Sequence, residues 1–488
     1  MTPTDHDAYD EHSLDIHVRL WKQAGRREHV HLVGIGGTGM KALAEFLEES
    51  GCSISGSDNS PLPISYLDKG WSVSQGHSCE EIPVTTDLVI YSAAIPADNP
   101  ALASARERSL PTISYIDVLA ALSQQAATYC VAGTHGKSTT AAILAHILDE
   151  PARCCGAVIG AETIDREASG WCGDHQRLVL ESCEFRRHFL KLDAEHAIIT
   201  NIERDHLDCY PCLEDVLEAF TEFASQLSPQ GKLVIPSDSE AVWRVVGQSP
   251  AEVITFGVEC PADWRAEDVR ISSAGTSFQL FHFARHLGRV TLRIHGRHNV
   301  ANALAAMALA GELGVAELHL IQRAESFAGI RRRLELIAAD EDHILLDDYA
   351  HHPTAVRSIL EAVRQTYPGR SICCLFQPHQ ITRTEELFEE FVESLQLADR
   401  VVIPPVFAAR EGDLQRATEC SLRLAAACQS AGVSATAVGS LDQIASTMET
   451  TSSPGEIFLT VGAGDIYRIH HELIGRLFRH PESGRAAG

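Results

Sequence analysis

The sequence predicts an α/β protein of three domains. Three observations support this fold class. Apolar runs alternate with amphipathic segments along most of the chain, two glycine-rich turns each join an apolar run to a helical pattern, and 488 residues exceed what one hydrophobic core usually serves. We place the domains at residues 1–125, with a polar preamble at 1–28, at 126–334 and at 335–488.

Composition is that of an ordinary soluble protein and excludes several functions. The net charge of -26 argues against a nucleic-acid or anionic-membrane binder. The first thirty residues lack the apolar segment of a secretory signal, and no apolar run approaches the roughly 20 residues of a membrane span. The 14 cysteines are scattered, and the single C-x-x-C, Cys209 to Cys212, has no second pair. We therefore expect reduced thiols and a cytoplasmic location.

The first domain opens with a strand, a glycine turn and a helix. In "HVHLVGIGGTGMKALAEFLEES", Gly34, Gly36 and Gly39 match G-x-G-x-x-G, and Asp58 ends the next strand. Such a turn lets a diphosphate approach the backbone, and the acidic residue then meets a ribose. The pattern suits a nicotinamide dinucleotide or another diphosphate, and a purely structural glycine turn is the alternative.

The second domain opens with a shortened phosphate-binding loop, "CVAGTHGKSTTAAILAHIL". A strand that runs through glycines into a helix gathers free backbone N–H groups at the positive end of the helix dipole. Lys137 adds a charge for a terminal phosphate, and Ser138 adds a hydroxyl for Mg²⁺. A tight turn with a solvated lysine is the alternative. The phosphate-binding candidates are Gly133, Thr134, Gly136, Lys137, Ser138 and Thr139.

Two further residues follow strands of the same domain. Glu181 closes "RLVLE", and His206 lies in "ERDHLD" after "AIITNI". Because the carboxyl ends of parallel strands share one edge, these side chains could complete a magnesium site begun by Ser138. Surface positions are the alternative for both.

The remaining strands predict an antiparallel ribbon at residues 269–295 and a third α/β unit from about Glu335. Polar clusters follow several of these elements, and they suit either caps and solvated charges or contacts to a base and to anions. The candidates are His298, Asn299 and Asn302 in "HGRHNVANALAA", Arg333 in "IRRRLE", Asp348 in "LDDYAHHPTAV" and Arg383 in "FQPHQITRT".

Taken in order, these segments resemble the Mur ligase family over nearly the whole chain. Seven segments occur in the family's order and rough spacing, which makes the resemblance specific. The family's loop reads G-T-x-G-K-[ST], which explains why this loop is shorter than a Walker A motif. The segments are "GIGGTGM", "YSAAIPADNP", "AGTHGKSTT", "TNIERDHLD", "GRHNVANALAA", "DDYAHHPT" and "VGAGDI".

The resemblance implies a Rossmann-like N-terminal domain for a UDP-sugar, a central P-loop-type ATPase domain and a C-terminal Rossmann-like ligase domain. It also implies ATP-dependent addition of L-alanine to the lactyl carboxylate of UDP-N-acetylmuramate through an acyl phosphate, in peptidoglycan precursor synthesis. Mg²⁺ is the implied cofactor, ATP the cosubstrate, and no nucleic acid or membrane is involved. Both a monomer and a homodimer fit the sequence.

Position by position, the resemblance assigns roles to named residues. Lys137, His206 and Arg383 are implied to be catalytic, and Ser138, Glu181 and His206 to hold metal. ATP contacts are implied for the phosphate loop and for His298, Asn299, Asn302, Arg333 and Asp348. UDP-sugar contacts are implied for Gly34, Gly36, Gly37, Gly39, Asp58, Ser92 and Ala93.

Two segments depart from the family pattern. Many members read H-R-Y-[ST]-R where this chain reads "HQITR", so the first arginine is replaced by Gln380. Many members have "ADESDASFL" where this chain has "SCEFRRHFL", which brings in Arg186 and Arg187. These departures concern the anchoring of the acyl phosphate and the lactyl end of the substrate.

Three other functions remain as alternatives. A recycling ligase would join a whole peptide to the same UDP-sugar, but such enzymes usually break the "GGTGM" pattern, which is intact here. A nicotinamide-dependent dehydrogenase would explain the glycine turn but neither Lys137 nor Glu181. A non-catalytic UDP-sugar sensor would not need a phosphoryl-transfer set. Among small acceptors, alanine, serine and glycine differ too little in size for the sequence to separate them.

Overall fold

A computed structural model describes residues 28–62, 65–78, 81–150, 154–206, 209–409, 411–478 and 482–483. The fold is mixed α/β with three sheet-containing regions, as the sequence predicts. The chain divides into two compact units, and the three domain boundaries proposed above stay a prediction. The first unit is Met1–Trp264 with Asn302–Ala324, and the second is Arg265–Ala301 with Glu325–Gly488.

The first sheet is parallel, in the order β3-β2-β1-β4-β5. β1 is buried over four of its five residues, and α1 follows it after the glycine turn (residues 34–39). The turn therefore lies at the carboxyl end of the central strand. The strands are β1 (His29–Val33), β2 (Ser53–Asp58), β3 (Ser72–Gln75), β4 (Leu88–Tyr91) and β5 (Thr112–Ser114), and the helices are α1 (Thr38–Glu49), α2 (Ser65–Asp68), α3 (Pro100–Glu107) and α4 (Tyr115–Ser123).

The second sheet continues the first unit through β6 (Ala127–Ala132), β7 (Gly156–Thr163), β8 (Ala168–Trp171), β9 (Arg177–Glu181), β10 (His196–Ile199), β11 (Lys232–Pro236) and β12 (Glu252–Val258). Within the first unit the order is β12-β11-β10-β6-β9-β7-β8, and β6 pairs in parallel with both β9 and β10. The segments after these three strands therefore meet at one edge. The helices are α5 (Lys137–Leu148), α6 (Leu213–Ser225) and α7 (Glu240–Val245), with 3-10 segments at Phe185–Lys191 and Val246–Gln248.

Helix α1 packs on the outermost strand of this second sheet, β8. The buried Glu45 carboxylate accepts hydrogen bonds from the backbone N–H groups of Ser169 and Gly170, at 2.7 and 3.2 Å. A side chain at Gly170 has no room, because its Cβ would lie 1.9 Å from the Ala42 carbonyl oxygen. Lys69 pairs with Glu45 at 3.3 Å and balances the buried charge. Helix and strand thus join the first two sheets.

The second unit contains the predicted ribbon, β13 (Trp264–Ser272), β14 (Gly275–His282) and β15 (Arg285–Leu292), with β14 and β15 antiparallel. The unit boundaries fall inside β13 and inside α8 (Arg297–Glu312), and α9 (Glu317–Ser326) follows α8. Gly314, two residues after the end of α8, has φ +87°, as expected of a helix-terminating glycine.

A third sheet completes the second unit, in the order β20-β19-β18-β21-β17-β16-β22. Its five strands from β20 to β17 are parallel, and β16 pairs antiparallel with β17 and β22. The strands are β16 (Glu335–Ala339), β17 (Ile344–Asp348), β18 (Ile372–Phe376), β19 (Arg400–Ile403), β20 (Ser434–Ala437), β21 (Ile457–Val461) and β22 (Glu482–Ser483). The helices are α10 (Pro353–Thr366), α11 (Ile381–Glu386), α12 (Phe388–Leu395), α13 (Leu414–Ser430), α14 (Asp442–Thr451) and α15 (His470–Leu477), with a 3-10 turn at Ile466–Ile469.

No helix among the described residues is both long and apolar enough to span a membrane. None of the 13 described cysteines is in a disulfide, as the scattered pattern predicts.

Candidate active site

The phosphate loop (residues 133–138) is built on two glycines that no other residue could replace. Gly133 has φ +131°, and a Cβ there would lie 2.1 Å from Thr200 Oγ1. Gly136 has φ +80°, and its Cβ would lie 2.3 Å from Asn302 Oδ1. α5 begins directly after Gly136, without a side-chain cap. The loop therefore presents an uncapped helix N-terminus, which favours an anion.

The other loop residues are held by neighbouring segments. Thr134 exchanges hydrogen bonds with the Glu203 backbone, accepting from its N–H at 2.8 Å and donating to its carbonyl at 3.3 Å. The backbone N–H of His135 donates to the Asn201 side chain at 2.8 Å. Thr139 is buried in the first turn of α5. The loop is thus fixed by the segment that follows β10.

Lys137 reaches back over the loop and pairs with a buried glutamate. Its Nζ lies 3.0 Å from Glu184 Oε2 and donates to the Gly133 and Thr134 carbonyls at 2.5 and 3.2 Å. The side chains are 11% and 3% exposed. Burial alone would lower the pKa of Lys137, but the Glu184 carboxylate, with Cys183 and Glu181, raises it above its ordinary value. Lys137 is therefore a fixed cation at the loop.

Ser138 and Glu181 meet beside this pair. The Ser138 hydroxyl donates to Glu181 Oε1 at 2.9 Å, and the Gly160 N–H donates to Glu181 Oε2 at 2.6 Å. The carboxylate is thereby oriented by a strand on one side and by the loop helix on the other. The sequence predicts both residues as metal ligands, and the structure brings their oxygen atoms together.

His206 contacts a different carboxylate from the one predicted to share its metal. Its Nε2 lies 3.8 Å from Glu184 Oε1 and 4.0 Å from Cys183 Sγ. Its backbone has φ +51°, and its ring lies 5.2 Å from that of Phe185. We call Cys183, Glu184 and His206 the thiol cluster; their ligand atoms lie within 4.8 Å of one another.

Glu184 is the functional candidate that the sequence analysis missed. It is 2% exposed, pairs with Lys137, and accepts a hydrogen bond from Tyr210 Oη on its carbonyl. The signal was present in the departing segment: "SCEFRRHFL" and "ADESDASFL" have equal length and share a glutamate at the third position. Glu181 is the residue that the sequence predicts instead, because it closes a strand.

The glycine turn of the first sheet is held by Asp58. The carboxylate accepts from the N–H groups of Gly36 and Ser60, both at 2.9 Å. Gly34 has φ +88°, and a Cβ at Gly39 would lie 2.8 Å from Tyr115 Oη. The predicted acidic residue thus supports the turn itself, and neighbouring side chains leave no room for a Cβ at Gly36 or Gly39.

Other residues predicted to contact the UDP-sugar lie around this turn. The Gly37 N–H donates to the Gly34 carbonyl, and the Ser92 N–H donates to the Val33 carbonyl. Ala93 follows Ser92, and its carbonyl accepts from Arg186 Nη1 at 3.1 Å. Arg186 and Arg187 both have left-handed backbones, with φ +52° and +58°. The segment that departs from the family pattern therefore touches the loop after β4.

In the second unit, His298, Arg333 and Asp348 interact electrostatically. Burial, followed by the Arg333 charge, lowers the pKa of His298 to about 4. Burial raises the pKa of Asp348 to about 6, although Arg333 and two backbone N–H groups oppose the shift. Those N–H groups belong to Leu334 and Ala350, each 2.7 Å from the carboxylate. The Asn299 amide donates to the His295 carbonyl, while Asn302, in the first unit, lies beside Gly136.

Arg383 is buried in α11, 5% exposed, with its Nη1 3.3 Å from His379 Nδ1. Gln380, which replaces the family arginine, has φ +67° and precedes the helix. The Glu411 carboxylate caps that helix, accepting from the Ile381 and Thr382 N–H groups at 2.5 and 3.2 Å. The structure therefore keeps one arginine of this motif in a fixed position.

Family models match the chain in three consecutive ranges. The model described as Mur ligase family, catalytic domain, matches residues 29–127. The Mur ligase middle domain matches residues 131–310, and the Mur ligase, glutamate ligase domain, matches residues 332–464.

Individual proteins are similar over most of their length. The UDP-N-acetylmuramate–L-alanine ligase of Desulfitobacterium hafniense is 38% identical over 457 residues, which cover 91% of this chain and 99% of that protein. The solved UDP-N-acetylmuramate-alanine ligase of Thermotoga maritima has a TM-score of 0.78 at 28% identity, covering 92% and 98%. A murein peptide ligase from Psychrobacter arcticus has a TM-score of 0.69 at 25% identity, covering 94% and 100%. Three family models match in chain order, and a relative is 38% identical over nine-tenths of this chain, so the chain belongs to the Mur ligase family.

Proposed function

We propose that this protein is an ATP-dependent ligase that joins L-alanine to the lactyl carboxylate of UDP-N-acetylmuramate in peptidoglycan precursor synthesis. The observation that carries the proposal is the phosphate loop with its buried Lys137–Glu184 pair, in a chain that is 38% identical to a protein named for this reaction. A nicotinamide-dependent dehydrogenase is set aside, because the chain belongs to a ligase family.

The chemistry requires activation of a carboxylate, which is a poor electrophile. The lactyl carboxylate oxygen attacks the γ-phosphorus of ATP, the bond to ADP breaks, and an acyl phosphate forms. The alanine amine then attacks the acyl carbon, phosphate leaves with the C–O bond electrons, and the nitrogen loses a proton. Lys137 and the loop N–H groups stabilise charge on the transferring phosphoryl group.

The donor set beside the loop fits Mg²⁺, which prefers hard oxygen ligands and substrate phosphates. Ser138 and Glu181 would hold the ion, and their oxygens lie 2.9 Å apart. His206 is proposed to act beside them, with Glu184. When bound, Mg²⁺ would neutralise charge on the phosphates.

We assign the remaining roles by position. The glycine turn, Asp58 and the Ser92–Ala93 backbone are proposed to receive the UDP diphosphate, and Arg333 and Asp348 the nucleotide ribose of ATP. His298, Asn299 and Asn302 are proposed on the adenine side. Arg383 is proposed to bind an anionic group of the acyl phosphate or the amino acid.

The test is phosphate release by the purified protein with ATP, Mg²⁺ and UDP-N-acetylmuramate, with L-alanine, L-serine, glycine or a tripeptide in separate reactions. Release with L-alanine, together with the mass of the amide product, is the expected result. Turnover with the tripeptide alone would favour the recycling reaction instead. If no acceptor gave phosphate release although the UDP-sugar bound, the result would contradict a ligase and favour the non-catalytic UDP-sugar sensor.

We further propose a cytoplasmic location, since none of the 13 described cysteines is in a disulfide, which suits a reducing compartment.

A further inference from the structure

The thiol cluster contains a ligand that the proposed reaction does not need. Mg²⁺ is held by oxygen, whereas a cysteine thiolate suits zinc and softer cations. Cys183 lies on the segment that departs from the family pattern, and many members have an aspartate at the matching position of "ADESDASFL". The cluster therefore combines sulfur, nitrogen and oxygen donors at the phosphate loop.

The spacing of the three donors fits a small four-coordinate ion. Zinc bonds of about 2.3 Å to sulfur and about 2.0–2.1 Å to imidazole nitrogen place tetrahedral ligand atoms roughly 3.6 Å apart. Here His206 Nε2 lies 4.0 Å from Cys183 Sγ and 3.8 Å from Glu184 Oε1. Both distances exceed the tetrahedral value by only a few tenths of an ångström, all three ligand atoms lie within 4.8 Å of one another, and a fourth position is left for water.

Two of the ligands are held by neighbours, and carboxylates outnumber ammonium groups beside the cluster. Glu184 is buried, and its backbone carbonyl accepts a hydrogen bond from Tyr210 Oη. The backbone N–H of His206 donates to the Asp205 carboxylate at 2.7 Å. Two carboxylates, Glu181 and Glu184, act electrostatically on one ammonium group, Lys137. The local charge is thus negative, which favours a dication.

We propose that Cys183, Glu184 and His206 bind a zinc-like divalent cation, Zn²⁺ or Cd²⁺, in the protein free of nucleotide. Glu184 also holds Lys137 through Oε2, so the bound ion and the loop lysine would share one carboxylate. Metal binding itself does not depend on the proposed ligase activity.

The direct test is titration of the nucleotide-free protein with Cd²⁺, monitored by the ultraviolet sulfur-to-cadmium charge-transfer absorbance. We expect one equivalent to produce the band in the wild type and in Cys212→Ser, and the band to be missing in Cys183→Ser. Cys212 is the matched control, since it belongs to the C-x-x-C and its serine replacement keeps a good helix N-cap. A band that survives in Cys183→Ser, or disappears in Cys212→Ser, would overturn the proposal.

A second measurement keeps the thiol and removes the imidazole. His206→Asn suits the left-handed backbone at this position and should bind Zn²⁺ at least about tenfold more weakly, measured by competition with a chromophoric chelator. Circular dichroism would verify that each variant is folded. Unchanged Zn²⁺ affinity in a folded His206→Asn would contradict the assignment, even if UDP-N-acetylmuramate ligation proves correct.

Discussion

At the scale of single residues, the proposed phosphate site depends on a cation that is paired with a buried carboxylate. Lys137 and Glu184 are both largely buried, and removal of one partner leaves the other charge without compensation. The functional charge and the stability of the site are therefore linked through the same contact.

Lys137→Ala is expected to abolish phosphate release and to lower the free energy of unfolding by about 3–5 kcal/mol, as for other broken buried pairs. Binding of UDP-N-acetylmuramate, by calorimetry, should stay nearly unchanged, because the glycine turn is separate. Lys137→Met combined with Glu184→Gln should recover much of the stability without recovering activity. Wild-type turnover in either variant would contradict the phosphate role.

Residue-level chemistry also predicts sensitivity to acid in the first sheet. His31 is fully buried, and burial, followed by the charges of His29, His77 and Arg108, lowers its pKa to about 4, against an ordinary value of 6.5. The unfolded chain therefore binds a proton that the folded chain does not. Stability is complete above about pH 6.5 and declines as the pH falls towards 4.

The contribution of His31 should reach about 2 kcal/mol between about pH 7.5 and pH 5. His31→Phe removes this proton, and its unfolding free energy, measured with urea at both pH values, should decline less than that of the wild type. Ser55 keeps a partner in this variant, since His29 Nε2 lies 2.9 Å away. An equal decline in both proteins would show that His31 does not titrate in this range.

Among residues, the sequence predicts those that belong to a local motif. Lys137 and Ser138 follow from a loop whose spacing has a backbone cause, and both lie where phosphate chemistry needs them. Glu184 does not follow from any local pattern. Its importance comes from Lys137, 47 positions earlier in the chain, and only folding brings the two together.

At the scale of elements, the docking of α1 on β8 depends on the absence of a side chain at Gly170. Gly170→Ala would place a methyl group 1.9 Å from the Ala42 carbonyl, so helix and strand must separate. We expect a loss of about 1–3 kcal/mol in the free energy of unfolding, as for other overpacked contacts. Gly247→Ala is the control, because no atom lies within 4 Å of its Cβ. Equal stability of the two variants would contradict tight docking.

The order and type of most elements could be predicted from periodicity and glycine positions. The parallel strands correspond to short apolar runs in the sequence, and the ribbon at residues 269–295 corresponds to alternating apolar and polar residues. The left-handed pair Arg186–Arg187 could not be predicted, because non-glycine residues seldom adopt this conformation. Contacts with Ala93 and Glu222, distant in sequence, accompany it.

At the scale of the whole molecule, three sheets are present and the chain divides into two compact units. The three domain boundaries stay a prediction. The first sheet and strands β6 to β12 belong to the first compact unit, where α1 contributes carboxylates to the backbone of β8 and of the residue after it. Such contacts join segments more than 120 residues apart in sequence, so a local sequence pattern cannot predict them.

Burial across both units predicts a graded reactivity of the thiols. Cys154 and Cys212 are exposed, whereas seven of the 13 described cysteines are buried. Brief alkylation of the native protein should modify these two first, and urea should be needed to modify the buried seven. Peptide mass mapping would check the order. Rapid native labelling of Cys130 or Cys374, both fully buried, would contradict the packing of the two sheets that hold them.

The position of α1 also bears on solubility. β8 is the outermost strand of its sheet, and an uncovered outer strand offers its N–H and C=O groups to strands of other molecules. Glu45 and Glu49 occupy the N–H groups of Ser169, Gly170 and Cys172 and place negative charge at that edge. A fragment that begins at residue 126 would lose this cover, and we expect its molecules to associate strand to strand. We therefore expect helix α1 to protect the second sheet from aggregation.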